Sequence, residues 1–297
     1  MTEVAVIGLG AMGGGMARAC LAAGLNVHGF DMDESRAAAF RDAGGAPGAQ
    51  AKVAGALDIV VVVVLNAAQA EAALFGADGI AARLKRGAVI VACVTMAPDQ
   101  ARALAARADA LGLLYVDAPI SGGSAKAAAG ELSILASGAP AAFEAARPAL
   151  DAMAATLFRL GDEAGAGSAM KAINQMLVGV HIAAAAEAIT FGITQGVAPE
   201  KTLDVISKCA GASWALENRG PHIVAGDYTP LSAIDIWLKD LGIVLDIAGR
   251  AKFAAPLTAA ALQQFIAASG SGLGGEDDAA VAKVYARNAG LALPGGV

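Results

Sequence analysis

Three glycines near the amino terminus constrain the fold of this chain most strongly. They stand in Gly8-Leu9-Gly10-Ala11-Met12-Gly13, which directly follows a short β-rich run and opens an alanine-rich helical stretch. This spacing permits a tight strand-to-helix turn, close approach of a pyrophosphate to the backbone, and close packing of the helix on its strand. The hexapeptide alone is a weak signal, but its context predicts a dinucleotide-binding βαβ unit.

A carboxylate stands at the end of the second predicted strand, where such a unit binds a ribose. Asp31 can accept hydrogen bonds from the ribose diol and repels a 2′-phosphate, so the sequence predicts NAD rather than NADP as cofactor. Further cofactor contacts are expected at the carboxyl ends of neighbouring strands, at Met32, Leu65, Asn66 and Thr95. Asn66 and Thr95 could each instead be a turn residue or a helix cap.

The first half of the chain alternates short β-rich runs with helical stretches. The predicted strands are Glu3–Gly8, Asn26–Asp31, Leu57–Leu65, Ala88–Ala92, Leu113–Asp117, Leu132–Ala136 and Thr156–Leu160. This alternation favours right-handed crossovers and a parallel sheet with helices on both faces. The continuous apolar run Ile59–Leu65 is expected at the centre of the sheet, buried on both sides.

Strand signals stop near Asp162, and the rest of the chain has the pattern of helices. We predict helices at about Glu163–Gln195, Pro199–Cys209, Ile234–Ala251, Leu257–Ala268 and Asp277–Ala286. The first is apolar around most of its circumference, which is typical of a helix buried between domains or subunits. The predicted architecture is an α/β Rossmann domain over residues 1–162, followed by an all-α substrate and oligomerisation domain over residues 163–297.

Composition and charge exclude several classes of protein. Hydrophobic residues make up 57% of the 297 positions and charged residues 16%, which argues against disorder and favours subunit-facing surfaces, as in a homodimer or homotetramer. The net charge of −6, without a basic cluster, argues against nucleic acid as a partner. The longest apolar run is far shorter than the ~20 residues that span a bilayer, so we expect a cytoplasmic protein without a membrane segment. The scattered cysteines and histidines predict no disulfide framework and no metal site.

A lysine and an amide stand together in Gly167-Ser168-Ala169-Met170-Lys171-Ala172-Ile173-Asn174. Lys171 and Asn174 are three positions apart and share one face of a helix, so both can reach one small substrate. An isolated lysine in such a spacing is more often solvated. If Lys171 acts as a base, its surroundings must favour the neutral amine, because the pKa of a free lysine is ~10.4.

Two further segments carry polar groups in suggestive places. Asp117-Ala118-Pro119-Ile120-Ser121-Gly122-Gly123-Ser124 sets a hydroxyl and two glycines after a predicted strand. The backbone N–H groups of Ser121, Gly122 and Gly123 can hold a carboxylate, although an ordinary glycine-rich loop fits equally well. Trp237-Leu238-Lys239-Asp240-Leu241-Gly242 places Lys239 and Asp240 in an apolar helix, where without context they would form a surface pair.

Taken in order, these stretches resemble the four signatures of the β-hydroxyacid dehydrogenase family, which includes 3-hydroxyisobutyrate and tartronate semialdehyde enzymes. Gly8–Gly13 is similar to the cofactor motif, Asp117–Gly123 to the substrate loop, Gly167–Asn174 to the catalytic motif, and Lys239-Asp240 to the late cofactor-side motif. The resemblance covers nearly the whole chain. It implies a substrate carboxylate on the Ser-Gly-Gly turn, Lys171 as general base with Asn174 beside it, Lys239 facing the cofactor, and Asp240 helping to position the site.

Other segments resemble the L-threonate dehydrogenase branch of that family, which oxidises the C2 hydroxyl of a four-carbon sugar acid with NAD. They are Asn66–Gln69, Gly179–Ala184, Ala210–Trp214, Glu217–Arg219, Gly226–Pro230 and Gly275–Asp278. A small carboxylate-bearing polyol is therefore the expected partner. The resemblance makes His181, Trp214 and Asn218 candidates for contact with the polyol tail, and a core role fits His181 and Trp214 equally well.

Two positions depart from the family pattern. Val94 replaces the serine that precedes Thr95, and Asn174 stands where some threonate enzymes carry histidine. A 3-hydroxyisobutyrate dehydrogenase, or a reductase of glyoxylate, succinic semialdehyde or tartronate semialdehyde, would use the same four motifs. An imine-reducing protein or an NAD-sensing regulator on the same scaffold would not use Lys171 as a base, and the lysine counts against both.

Overall fold

The computed structural model describes residues 1–295. The chain divides into two compact units, Met1–Lys171 and a second that starts at Ala172. The boundary predicted at residues 162/163 falls between the last strand of the first unit and the long helix that carries Lys171.

Five parallel strands form the main sheet of the first unit. They are β1 (Glu3–Ile7), β2 (Asn26–Phe30), β3 (Ile59–Val62), β4 (Val89–Ala92) and β5 (Leu114–Asp117), in the spatial order β2-β1-β3-β4-β5. Strand β1 pairs with β2 on one side and with β3 on the other, so the strand order reverses there. Ligands of such sheets bind outside the carboxyl ends of the strands at this reversal. The predicted Rossmann architecture is confirmed.

Helices cover both faces of this sheet. They are α1 (Ala11–Ala22), α2 (Glu34–Asp42), α3 (Gln50–Val53), α4 (Ala67–Phe75), α5 (Pro98–Ala110), α6 (Gly123–Ala129) and α7 (Pro140–Met153). Strand β3 is fully buried, with Val61 in the hydrophobic cluster of one face and Val60 and Val62 in that of the other. The central strand is therefore buried on both sides, as predicted, but it ends at Val62 and leaves Leu65 exposed.

The last three strands form a separate small sheet. They are β6 (Ile120–Ser121), β7 (Leu132–Ala136) and β8 (Ala154–Arg159), in the order β6-β7-β8. Strand β6 runs antiparallel to β7, whereas β8 runs parallel to it. The expectation of one parallel sheet was wrong for these strands. The antiparallel strand β6 was not predicted, because a two-residue strand is too short to show alternation in the sequence.

Between residues 172 and 295 the structure contains helices and helical turns but no strand, which confirms the all-α prediction. Helix α8 (Ala166–Thr194) continues from the first unit and is followed by α9 (Pro199–Ile206), α10 (Trp214–Ala225), α11 (Ile234–Arg250), α12 (Pro256–Ala268), a π-helical turn (Ser269–Leu273), a 3₁₀ turn (Asp278–Val281) and α13 (Ala282–Ala289). Helix α10 was not predicted, because its internal Pro221 resembles a helix breaker. Its start is capped by Ser213, whose Oγ accepts a hydrogen bond from the Leu216 N–H at 3.1 Å.

Helix α8 is 29 residues long, and among residues 1–295 it is the only helix long and apolar enough to cross a bilayer. Its most apolar window has a mean hydropathy of 1.7 and is 39% buried. The sequence reasoning missed this property because His181 and Glu187 interrupt the run of apolar residues. On one face of this helix Ile173, Leu177 and Phe191 are exposed in the single chain, so burial against another subunit stays a prediction.

Candidate active site

The glycine hexapeptide forms the turn between β1 and α1. A Cβ atom at Gly8 would lie 2.1 Å from the Val63 carbonyl oxygen, and one at Gly13 would lie 1.8 Å from the Gly8 carbonyl oxygen. Only glycine fits at these two positions. Helix α1 begins after Gly10, and no side chain of the described residues caps its first turn. Its first N–H groups are therefore available to an anion such as a pyrophosphate.

The Asp31 carboxylate lies beside this turn. Its Oδ2 accepts a hydrogen bond from the Leu9 N–H at 2.6 Å, and its Oδ1 accepts one from the Asp33 N–H at 2.9 Å. Arg36 approaches Oδ2 with a nitrogen at 3.8 Å and is half exposed. Asp31 thus fixes the glycine turn and presents negative charge where the predicted ribose would bind.

The other predicted cofactor contacts follow β2, β3 and β4. Met32 and Leu65 are exposed, and Thr95 is half-buried. Asn66 caps α4 by accepting a hydrogen bond from the Gln69 N–H at 2.9 Å, while the Gln69 side chain accepts one from the Leu65 N–H at 3.0 Å. The capping interpretation of Asn66 is therefore correct, and a contact of its side chain with a cofactor stays a prediction.

The predicted carboxylate-binding turn follows β6. Ser121 is the last residue of that strand, and Gly122 and Gly123 adopt φ angles of 138° and 78°. Residues with a side chain rarely adopt these angles. Both glycines are exposed, so their backbone is accessible to a small ligand.

Lys171 lies in the second turn of α8 and is only 8% exposed. The alternative of a solvated surface lysine is therefore excluded. Asn174 follows one turn later and His181 lies about two further turns along, so all three side chains share one face of the helix. Asn174 and His181 are half-buried.

A buried carboxylate holds the start of this helix. Asp117, at the end of β5, accepts hydrogen bonds from the Gly165 N–H at 3.0 Å, the Ser168 N–H at 2.8 Å and the Ser168 hydroxyl at 2.7 Å. Burial raises the pKa of Asp117, and these hydrogen bonds oppose the increase. The sequence assigned Asp117 only to the substrate loop and gave no sign of this long-range contact.

In the second unit, a chain of side chains leads from Asn174 to Lys239. The Asn174 amide donates to Gln175 Oε1 at 2.9 Å, and the Gln175 amide donates to Asp240 Oδ2 at 2.5 Å. The other oxygen of Asp240 accepts from the Lys239 ammonium group. Asp240 is almost fully buried, so the alternative of a surface pair is wrong. Sequence reasoning missed Gln175, although a second amide beside Asn174 in an apolar helix is a detectable signal.

Trp214 begins α10 and is 56% exposed, so it is not a core residue. The Arg219 guanidinium lies 5.5 Å from the centre of its ring. Arg219 is itself buried and donates from Nε to Asp278 Oδ1 at 2.6 Å, while Trp237 donates to Asp278 Oδ2 at 2.8 Å. Sequence reasoning noted Arg219 and Asp278 as part of a resemblance but missed the buried network that they form.

No cluster of three or more potential metal ligands occurs among residues 1–295. The polar groups that are present fit NAD. The uncapped helix start and glycine turn would hold the pyrophosphate, and Asp31 would hold a ribose. Fold and site together define a Rossmann-type dehydrogenase with a helical second part.

Comparison with known proteins specifies the family. Residues 3–161 match the family described as the NAD binding domain of 6-phosphogluconate dehydrogenase, and residues 165–285 match the NAD-binding family of NADP-dependent 3-hydroxyisobutyrate dehydrogenase. L-threonate dehydrogenase of Cupriavidus necator is 51% identical over 294 residues, which cover 99% of this chain and 98% of that protein. The Escherichia coli K12 enzyme of the same name is 44% identical over 295 residues, covering 99% and 97%.

A solved structure agrees with these relatives. The crystal structure of 3-hydroxyisobutyrate dehydrogenase from Salmonella typhimurium superimposes with a TM-score of 0.89 at 45% identity, covering 96% of this chain and 100% of that chain. The chain belongs to the 3-hydroxyisobutyrate dehydrogenase family, and its chemistry is NAD-dependent oxidation of a hydroxyacid.

Proposed function

We propose that this enzyme oxidises the C2 hydroxyl of L-threonate, or of a close four-carbon sugar acid, to the 2-oxo acid, which for threonate is 2-dehydro-L-erythronate. The observation that carries the proposal is the identity of 51% and 44% with L-threonate dehydrogenases over nearly the full chain. A buried lysine on one helix face with an amide and a histidine supports the same chemistry.

The proposed mechanism assigns proton transfer to Lys171. Bound NAD would supply the hydride acceptor. As the C2–H bond breaks, the hydroxyl proton moves to the neutral Nζ of Lys171, and the carbonyl group forms. The Ser121–Gly123 turn holds the substrate carboxylate, and Asn174 orients the hydroxyl or the amine. In the reverse direction the ammonium form of Lys171 returns the proton to the alkoxide.

Lys171→Ala tests this assignment. General acid–base catalysis contributes about 10²–10⁴-fold, so kcat should fall by at least about 100-fold while the Kd for NADH changes less than twofold. Lys171→Arg serves as the matched control, because it keeps a long basic side chain that stays protonated, and it should be as slow. Equal losses of turnover and NADH affinity in Lys171→Ala would show that the lysine binds cofactor or supports the fold.

A second candidate substrate is 3-hydroxyisobutyrate, which the 45% identity to the Salmonella structure of that name favours. A spectrophotometric panel of C3 and C4 hydroxyacids, each with NAD and NADP, separates the candidates. We expect L-threonate with NAD to have the highest kcat/KM. Threonate inactive beside an active 3-hydroxyacid would overturn the substrate proposal and leave the reaction class standing. Activity only toward glyoxylate or a semialdehyde would assign a reductase instead.

We further propose that His181 and Trp214 contact the polyol tail of the substrate and set its specificity. Trp214 is too exposed for a core residue, and His181 shares a helix face with Lys171. A site that bonds substrate hydroxyls rejects acids that lack them, because its buried polar groups are then unpaired. His181→Ala and Trp214→Ala should therefore lower the preference for threonate over 3-hydroxyisobutyrate. Loss of thermal stability without loss of preference would show a structural role.

The enzyme is proposed to be a cytoplasmic homodimer or homotetramer in which a second copy covers the exposed face of α8. Ile173, Leu177 and Phe191 are exposed on that helix, and such apolar surface is rarely left in water. Sedimentation of the wild type and of Leu177→Glu with Phe191→Glu tests this. We expect an oligomer that the substitutions dissociate. A monomeric wild type, or recovery from cells only with detergent, would contradict the proposal.

A further inference from the structure

We infer that Asp117 is a positioning residue, which ties the helix that carries Lys171 to the end of β5, shortly before the Ser121–Gly123 turn. The inference rests on the proposed roles of Lys171 and of this turn. It concerns residues of the first unit only, and Asp117 itself touches neither substrate nor cofactor in this assignment.

The contacts of Asp117 place its carboxylate at the very start of α8. Asp117 is fully buried, and its Oδ2 accepts both the Gly165 N–H and the Ser168 N–H, at 3.0 and 2.8 Å. Its Oδ1 accepts the Ser168 hydroxyl at 2.7 Å. The two N–H groups are among the backbone donors that a helix start leaves without partners, and the negative charge also suits the positive end of the helix.

Ser137 provides a second connection between the same segments. Its backbone exchanges two hydrogen bonds with that of Asp117, at 2.8 and 2.9 Å, and its hydroxyl oxygen accepts the Gly167 N–H at 3.0 Å. A Cβ atom at Gly167 would lie 2.4 Å from the Leu135 carbonyl oxygen and 2.7 Å from that of Asp117. The helix start is thus pressed against the ends of β5 and β7, with no room for a side chain.

The sequence distance between the partners indicates more than a cap. An ordinary cap comes from the residue that directly precedes the helix. Here the carboxylate comes from 48 and 51 residues earlier in the chain. Ser168 lies one turn before Lys171, and Asp117 lies four residues before Ser121. One buried carboxylate therefore fixes the position of the proposed base relative to the proposed carboxylate-binding turn.

Small displacements of a base relative to its substrate affect turnover strongly, because a misplacement of about 1 Å can cost about 100-fold in rate. Asp117→Ala removes every hydrogen bond that the carboxylate accepts from Gly165, Ser168 and Ser137, and it should lower kcat by about 10- to 100-fold. Asp117→Asn can keep its oxygen on the two backbone N–H groups and turn its NH₂ toward the Ser168 hydroxyl, which can accept. It should recover much of the lost rate. Ser168→Ala loses one side-chain donor only and should cost a few-fold.

A matched control comes from Asp277, another fully buried carboxylate that accepts backbone N–H groups, those of Leu231 at 2.8 Å and Ala279 at 3.1 Å. It lies in the second unit and has no part in the proposed chemistry. Asp277→Ala should lower the thermal midpoint but leave kcat within about threefold at a temperature where the variant is folded.

The test combines kcat, the Kd for NADH and amide hydrogen exchange at Gly165 and Ser168. We expect Asp117→Ala to speed exchange at both amides at least tenfold, to lower kcat as stated, and to leave the Kd for NADH within twofold. Asp117→Asn should reverse most of both effects. Unchanged exchange would show that Asp117 does not hold the helix start, and faster exchange with wild-type kcat would show that it holds the helix without positioning the base. Either result overturns the inference.

The Lys171 and Asp117 variants together distinguish a failure of this inference from a failure of the proposed function. If Lys171→Ala keeps wild-type turnover, the base assignment fails whatever the exchange data show. If Lys171→Ala is inactive while Asp117→Ala turns over normally, only the positioning role fails. Should Asp117→Ala not fold, Asp117→Asn and Ser168→Ala carry the same comparison at smaller fold-changes, and wild-type kcat in both would overturn the inference.

Discussion

Replacing Arg219 by leucine should destabilise the helical unit far more than an average substitution. Arg219 is 7% exposed, and its Nε lies 2.6 Å from Asp278 Oδ1 and 3.9 Å from Asp277 Oδ1. Both aspartates are fully buried. At a charge separation of about 4 Å and an effective dielectric constant of ~20, each such attraction is about 4 kcal/mol before desolvation is counted. Removal of one partner from a buried pair typically costs about 3–5 kcal/mol, and that is the loss we expect.

The loss should depend on pH in a defined direction. Burial raises the pKa of Asp278, whereas Arg219 and the Trp237 N–H lower it. Without Arg219 the folded-state pKa should rise further above the unfolded value of ~3.9. A group whose folded pKa is raised binds a proton more readily when folded, so the folded variant gains stability as pH falls. The deficit relative to wild type should therefore be largest at pH 8 and smaller at pH 5.

Urea unfolding followed by circular dichroism at pH 5 and pH 8 measures both quantities. The double variant with Asp278→Asn is the control, since it removes the unpaired charge and should recover part of the loss at pH 8. A deficit below about 1 kcal/mol, or one that grows as pH falls, would refute the reasoning from a buried, desolvated ion pair.

Three further predictions concern the site and the core. Gly13→Ala should weaken NADH binding at least tenfold, because its Cβ would lie 1.8 Å from a carbonyl oxygen of the same turn, and a fluorescence titration with an unchanged Kd would contradict this. Iodoacetamide at pH 8 should label Cys209 but not Cys20 in the folded protein, since Cys209 is exposed and burial raises the pKa of Cys20 to about 12; peptide mass spectrometry that finds modified Cys20 would disprove it. Gln175→Met should lower kcat about tenfold by releasing the Asn174 amide, whereas exposed Gln263→Met should not, and equal kcat values would exclude this role.

The sequence predicted the fold well where periodicity and local chemistry agree. All seven predicted strands are present, and the glycine hexapeptide placed the first turn correctly. Strand β6 was missed because two residues show no alternation, and α10 because a proline inside a helix resembles a break. These errors arise where tertiary contacts override a local signal.

Site prediction from the sequence stopped at the residues that carry motifs. Lys171, Asn174 and the pair Lys239–Asp240 were named, but Gln175 and the long-range contact of Ser168 with Asp117 were not. Ser168 donates a hydrogen bond to Asp117, 51 residues earlier in the chain, and Gln175 donates one to Asp240, 65 residues later. Hydrogen bonds over such distances leave no local pattern, so only the folded structure shows how the proposed base and its amide are held.

The most direct test of the proposed reaction uses L-threonate that carries deuterium at C2. Oxidation at C2 requires that the C2–H bond break, so NADH should form with one deuterium per turnover, and kcat/KM should fall by a primary isotope effect where hydride transfer limits the rate. The product, analysed by mass spectrometry, should be the unlabelled 2-oxo acid. Unlabelled NADH together with a product that retains its deuterium would show oxidation at another carbon and contradict the proposed function.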